Sequence, residues 1–319
     1  NTFCYVMFMI LFLKVFKLGI VGFVLATVVA DFSSGVFLFI VARLYRYIGA
    51  SPQFKNTMKS MILYALPLIP STMFWWITNT SDQYFVYYMR SPREAGLYST
   101  AYAIPHLIMM FSTLFTEAWQ LSAVTDGGKD MPGREKFFSK VFLSFQGLLF
   151  CASAGIILFS KVFMNILAAK SYYDGWIYIP ILVIAMTFSC FVTFIGSIYV
   201  VEKKSWLSFF TMLLGAVLNL ILNALFIPIM GAVGAGVATF ISYLLVFVIR
   251  AVNTRKFIKM NLYTGKLVVN TLLLIAEAAV MMLQPKLWIL YAGAITVVIL
   301  ALNFKALWLS AKKLLVRGA

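Results

Sequence analysis

Five residues inside the long apolar stretches of this 319-residue chain can carry a charge or a proton: Asp31, Asp82, His106, Glu117 and Glu277. Such groups are costly in hydrocarbon, so each is a candidate for lining an ion or substrate path, or for taking up and releasing a proton. Histidine suits the second task best, because its ordinary titration lies nearest neutrality.

Three of the five fall on polar stripes. At 100° per residue, Tyr102, His106, Thr113, Glu117 and Gln120 lie within about 40° of one line on a helix. That stripe faces a cavity or the bundle interior, as lining residues or as interhelical polar glue. Pro105 removes a backbone hydrogen bond just before His106 and bends the helix there. A second stripe, Ser71, Trp75, Thr78, Asn79 and Asp82, follows Pro67 and Pro70, which mark a hinge. A third is Ser208, Thr211, Gly215, Asn219 and Asn223, whose asparagines would bond sugar hydroxyls or neighbouring helices. Asp31 and Glu277 stand alone in their spans. Lys14 and Lys17 would meet a diphosphate or snorkel to the interface.

The elements that hold these residues follow from composition. The chain is 63% hydrophobic and only 11% charged, against about 25% charged in soluble domains. Apolar runs of membrane-spanning length recur throughout. They predict an all-α, polytopic transmembrane bundle of ten helices, near 2–16, 20–42, 60–89, 94–122, 138–160, 175–200, 205–228, 231–252, 266–284 and 287–309. Every connection is short, so no soluble catalytic domain fits between spans. The longest, around 123–137, holds Asp126, Gly127, Gly128, Lys129, Asp130, Pro132 and Gly133, which is turn chemistry.

The net charge of +16 comes from clusters between the apolar runs, a pattern of membrane loops rather than of nucleic-acid binding. Arg43, Arg46, Lys55 and Lys59; Lys129, Arg134, Lys136 and Lys140; Lys203 and Lys204; Arg250, Arg255, Lys256, Lys259 and Lys266; and Lys305, Lys312, Lys313 and Arg317 alternate with sparser connections. By the positive-inside rule they are cytoplasmic, and so is the 310–319 tail. Cys4, Cys151 and Cys190 form no CxxC pair, and there is one histidine, so neither a metal site nor a cofactor is expected.

An internal repeat sets the register. Gly19, Val21, Gly22, Ala26 and Thr27 match Gly231, Val233, Gly234, Ala238 and Thr239. Both segments open a span on the same side, with six spans between them, as parallel transporter repeats require. The chain then divides into 1–45, the last two helices of one lobe; 59–252, a complete six-helix lobe; and 266–309, a trailing pair. It opens on Asn1, directly in apolar sequence, which predicts about four further spans upstream.

YALPLIPS (64–71), SDQYFVYYM (81–89), EAGLYSTAY (94–102), YYDGWIYIPIL (172–182) and NLILNALFIPIMGAVGAGVATFISY (219–243) together resemble the polysaccharide-exporter branch of the multidrug/oligosaccharidyl-lipid/polysaccharide (MOP) flippase superfamily, the O-antigen flippase type. The resemblance implies two six-helix lobes around a central cavity. It also implies alternating access that carries an undecaprenyl-diphosphate-linked oligosaccharide across the bacterial cytoplasmic membrane, for surface polysaccharide and lipopolysaccharide synthesis. Its implied partners are that lipid-linked substrate, the bilayer and polysaccharide-assembly proteins. Half of the implied cavity lining lies outside this chain. Gln83 stands where the family pattern more often has Arg after the aspartate, which removes a local ion pair.

Two rival readings remain at this stage: a multidrug or cation antiporter on the same scaffold, and a membrane-embedded polymerase or glycosyltransferase. The chain has no GxxxxGK[ST] loop, nucleophile elbow, HExxH or GxGxxG context, and no long external loop for an enzyme. The sequence therefore predicts a transporter without catalytic residues, whose cavity or coupling candidates are Asp82, His106, Glu117, Asn79, Tyr102, Asn219 and Asn223. Its hinge candidates are Pro67, Pro70 and Pro105.

Overall fold

The computed structural model describes residues 2–47, 49, 54–125 and 133–317. Loop residues 126–132 lie outside them, as do the side chains of Gln120, Arg134, Lys305, Lys312, Lys313 and Arg317. The chain divides into two units, Asn1–Met61 and Ile62–Ala319.

In the first unit α1 (Thr2–Met9) widens into a π turn at Ile10–Val15, and α2 (Gly19–Val41) packs back on α1. Gly19 turns the chain with φ +57°, and a Cβ at Gly22 would lie 3.1 Å from the Phe12 carbonyl oxygen. Glycine is needed at both places, for the positive φ and for the close approach. A short 3-10 turn at Leu44–Tyr47 follows.

The unit boundary falls inside α3 (Phe54–Ala65). The second unit continues with α4 (Leu68–Met89), α5 (Pro92–Thr125), α6 (Arg134–Leu158), α7 (Ser160–Leu167), a 3-10 segment at Lys170–Tyr178, α8 (Ile179–Val201), α9 (Ser205–Met230), α10 (Ala232–Thr254), α11 (Thr264–Leu283) and α12 (Trp288–Arg317). Each of the ten expected spans has its helix, so the all-α reading holds. Among the described residues, seven helices are long and apolar enough to cross a membrane by length and composition.

The prolines divide in their effect. The chain breaks between α3 and α4 at Pro67, whose carbonyl accepts the Ser71 hydroxyl at 2.7 Å. Pro70 lies in the first turn of α4, where a missing N–H costs little. Pro105 sits inside α5, which runs unbroken past it.

Helix ends join sequence-distant motifs. Ser91 caps α5, accepting the Glu94 N–H at 3.1 Å, with Pro92 at the first helical position. Glu94 turns its other face to α10: its Oε1 accepts the Ala232 N–H at 2.8 Å. A side chain at Gly231 (φ +63°) would place Cβ 2.6 Å from that oxygen. Gly19 and Gly231 both carry a positive φ at the start of their helices.

The core is built around α8, which is buried nearly all round and packs against α5, α6, α10 and α11. A helix apolar on every face belongs in the middle of a bundle. Phe142 and Phe145 of α6 meet Phe191 and Phe194 of α8, with the Phe145 and Phe194 rings stacked 4.9 Å apart. Small residues bring α10 close to both neighbours: a Cβ at Gly236 would fall 2.7 Å from Ile181 of α8, and one at Gly215 of α9 would fall 2.5 Å from Val246.

Candidate functional site

Asp82 sits on α4, fully buried, where four helices meet. Its carboxylate collects donors from the other three. Tyr98 of α5 gives its hydroxyl to Oδ2 at 2.9 Å, and Thr239 of α10 gives its own to the same oxygen at 2.6 Å. From α9, Asn223 donates to Oδ1 at 2.7 Å, and Asn219 approaches it at 3.5 Å.

A second layer holds those donors in place. The Asn219 amide nitrogen bonds Thr239 Oγ1 at 2.9 Å, and its Oδ1 accepts from Ser81 at 3.0 Å and from Asn223 at 3.1 Å. Asn219 and Asn223 are one helical turn apart, so both amides reach the same carboxylate. Thr239 and both asparagines are fully buried. Among the described residues no ion pair reaches Asp82, so the carboxylate has no cationic partner. Its charge is met by oriented dipoles alone, which makes the packing of four helices depend on one carboxyl group.

The aromatic residues of α5 lead outward from this centre at one-turn spacing. The Tyr98 and Tyr102 rings lie 6.2 Å apart, and the Tyr102 and His106 rings 6.4 Å apart. Tyr102 donates to Asn79 Oδ1 at 2.8 Å, and Asn79 in turn donates to the Trp75 carbonyl at 2.7 Å. Beyond Tyr102 the face opens. His106, Thr113 and Glu117 are exposed, beside the apolar Leu107, Met110 and Leu114. The predicted α5 stripe thus runs from a half-buried end at Tyr102 to an open end at Glu117.

The second predicted stripe is interior: Ser71, Thr78, Asn79 and Asp82 are buried, and Trp75 is half-buried. The third divides by depth. Asn219 and Asn223 turn inward onto Asp82, not towards open space. Gly215 makes room for Val246. Ser208 and Thr211 meet Arg250, which sequence counting placed in a basic connection. That placement is corrected here: Arg250 lies within α10 and is 4% exposed. Its guanidinium donates to the Val192 carbonyl of α8 at 2.8 Å and to Thr211 Oγ1 of α9 at 3.0 Å. Three other contacts of the Asp82 centre escaped the sequence reading: Tyr98, Thr239 and Ser81. Tyr98 had a signal, one turn before Tyr102, and Thr239 lay in the repeat match. No three His, Cys, Asp or Glu side chains converge among the described residues.

The chain has the fold of three solved MOP-type structures. One is lipid II flippase MurJ in an inward closed conformation, at 14% identity and a TM-score of 0.59, covering 98% of this chain and 67% of that one. Another is a MOP superfamily transporter from Pyrococcus furiosus, at 16% and 0.52, covering 78% and 63%. The third is a multidrug resistance MATE family transporter in an outward-facing conformation, at 15% and 0.52, covering 78% and 66%. The chain spans about two thirds of the length of these structures. The likeness is one of fold, and the apolar helices make the chain a multi-pass membrane protein. More particularly, residues 2–119 match the family described as polysaccharide biosynthesis protein, so the resemblance read from the sequence holds. No curated protein matches the chain in sequence.

Proposed function

We propose that this chain is the larger part of a flippase that moves a lipid-linked oligosaccharide, carried on an isoprenoid diphosphate, from the cytoplasmic to the outer leaflet of a bacterial inner membrane. The observation that carries this reading is the match of residues 2–119 to the polysaccharide biosynthesis family. The open α5 face with His106, Thr113 and Glu117 lines the substrate route, and its mixed polar and apolar character suits an amphipathic cargo. Asp82 is the coupling carboxyl: altering its charge or ligation would loosen α4, α5, α9 and α10 together, and such a shared junction can bias one lobe between two packings. The basic connections face the cytoplasm.

The test uses the full-length protein in sealed vesicles loaded with a fluorescent isoprenoid-diphosphate oligosaccharide. Exposure of the sugar to an external lectin should rise in the presence of protein, and Asp82→Asn should abolish that rise. The MATE-like fold favours a second reading, an antiporter for organic cations. Transport of cationic dyes without movement of the lipid-linked sugar would replace the first reading with the second.

A further inference from the structure

The trailing helix pair holds a second buried carboxyl that the Asp82 centre does not touch. Glu277, near the middle of α11, is fully buried. Thr296 of α12 lies 2.7 Å from its Oε1, and no side chain reaches Oε2. The pair is part of a register. Asn270 and Glu277 are two turns apart on α11, Thr296 and Asn303 two turns apart on α12, and the antiparallel packing pairs them as rungs. Asn303 donates to Asn270 Oδ1 at 2.9 Å. Between the rungs lie the buried Leu274 and Ile299.

Counting hydrogens identifies what Glu277 lacks. The Thr296 hydroxyl has one proton and two acceptors in reach, Glu277 Oε1 at 2.7 Å and the Ala292 carbonyl at 3.0 Å. A proton on the carboxyl resolves this, because Glu277 then donates to Thr296 and Thr296 donates to Ala292. No cation stands in for that proton: among the described residues no ion pair involves Glu277. On the elements packed against α11, the titratable side chains among the described residues are Glu135, Lys136, Lys140 and Cys151 of α6, Cys190 and Tyr199 of α8, and Tyr291 of α12, with Lys266 on α11 itself. None of them bonds Glu277. A metal ion would need several more oxygens than the site offers.

Other buried polar atoms on α6 and α12 are also without partners. Both amide atoms of the fully buried Gln146 on α6 are unpartnered, as is Asn303 Oδ1, which faces Gly147 on the same helix. Buried amides left open in this way are where water enters. From these observations we infer that Glu277 is an exchangeable proton-binding site of the trailing helix pair, separate from the Asp82 centre.

The test is labelling of the full-length protein in lipid vesicles with dicyclohexylcarbodiimide, which enters bilayers and attacks protonated carboxyls, with adducts located by peptide mass spectrometry. An adduct on Glu277 is expected, formed more slowly as pH is raised and absent with a water-soluble carbodiimide. Glu277→Gln, which keeps an acceptor for Thr296, should lose the adduct while keeping the wild-type thermal midpoint. No adduct on Glu277, or one formed at the same rate across the pH range, would overturn the inference and leave a fixed interhelical hydrogen bond. The measurement needs no substrate, so it stands or falls separately from the flippase reading.

Discussion

The guanidinium of Arg250 occupies the space that Gly196 leaves by having no side chain; a Cβ at Gly196 would collide with it. Through that gap Arg250 of α10 reaches the Val192 carbonyl of α8, while its Nε holds Thr211 of α9 and its charge lies 5.7 Å from the Tyr199 ring centre. One glycine and one arginine thereby fasten three helices. Gly196→Ala should displace the guanidinium and cost about 2–3 kcal/mol, the worth of hydrogen bonds to a charged group left unmade. Thermal unfolding in detergent checks it. Arg250→Lys should not rescue, because an ammonium lacks the planar fork that serves two helices at once.

Asp82→Asn retains shape but reverses half of the chemistry. The carboxylate accepts on both oxygens, whereas an amide presents N–H groups to donors already aimed at that position. Stability should fall by about 1–3 kcal/mol, and transport by the full-length protein by more than ten-fold. Tyr98→Phe removes one donor of four and should cost about 1 kcal/mol. Equal losses in the two variants would show that the network does not centre on Asp82.

The α5 stripe predicts a gradient of access. With Cys4, Cys151 and Cys190 replaced, His106→Cys and Glu117→Cys should react rapidly with a water-soluble thiol reagent, and Asn219→Cys slowly. Unreactive cysteines at 106 and 117 would place that face against lipid and remove it from the substrate route.

Glu94 contributes by capping more than by pairing. Its contact with Arg90 is long, at 3.3 Å, and the arginine is 42% exposed, so Arg90→Ala should cost less than about 0.5 kcal/mol. Glu94→Ala also removes the acceptor at the start of α10 and should cost about 1 kcal/mol. Thermal midpoints of the two variants in matched detergent separate the effects.

Much of the architecture was legible in the sequence because the bilayer imposes it locally. A span must be apolar along its whole length and helical throughout, so ten apolar runs predict ten helices with no knowledge of their neighbours. The same holds for Gly19 and Gly231, where a tight reversal and close packing require glycine whatever lies opposite. Asp82, Asn79 and the α5 stripe were visible for the related reason that polar atoms are rare in such helices. What each polar atom meets was decided only by tertiary structure. Asn219 and Asn223 carry no mark that separates facing a cavity from facing a carboxylate 137 and 141 residues earlier. Arg250 reads as a loop cation until α8 and α9 close over it. Glu277 looks isolated until α12 folds back and brings Thr296 within 2.7 Å. Helicity is settled by each segment against its solvent, whereas the partner of a buried polar group is settled by which helix packs beside it.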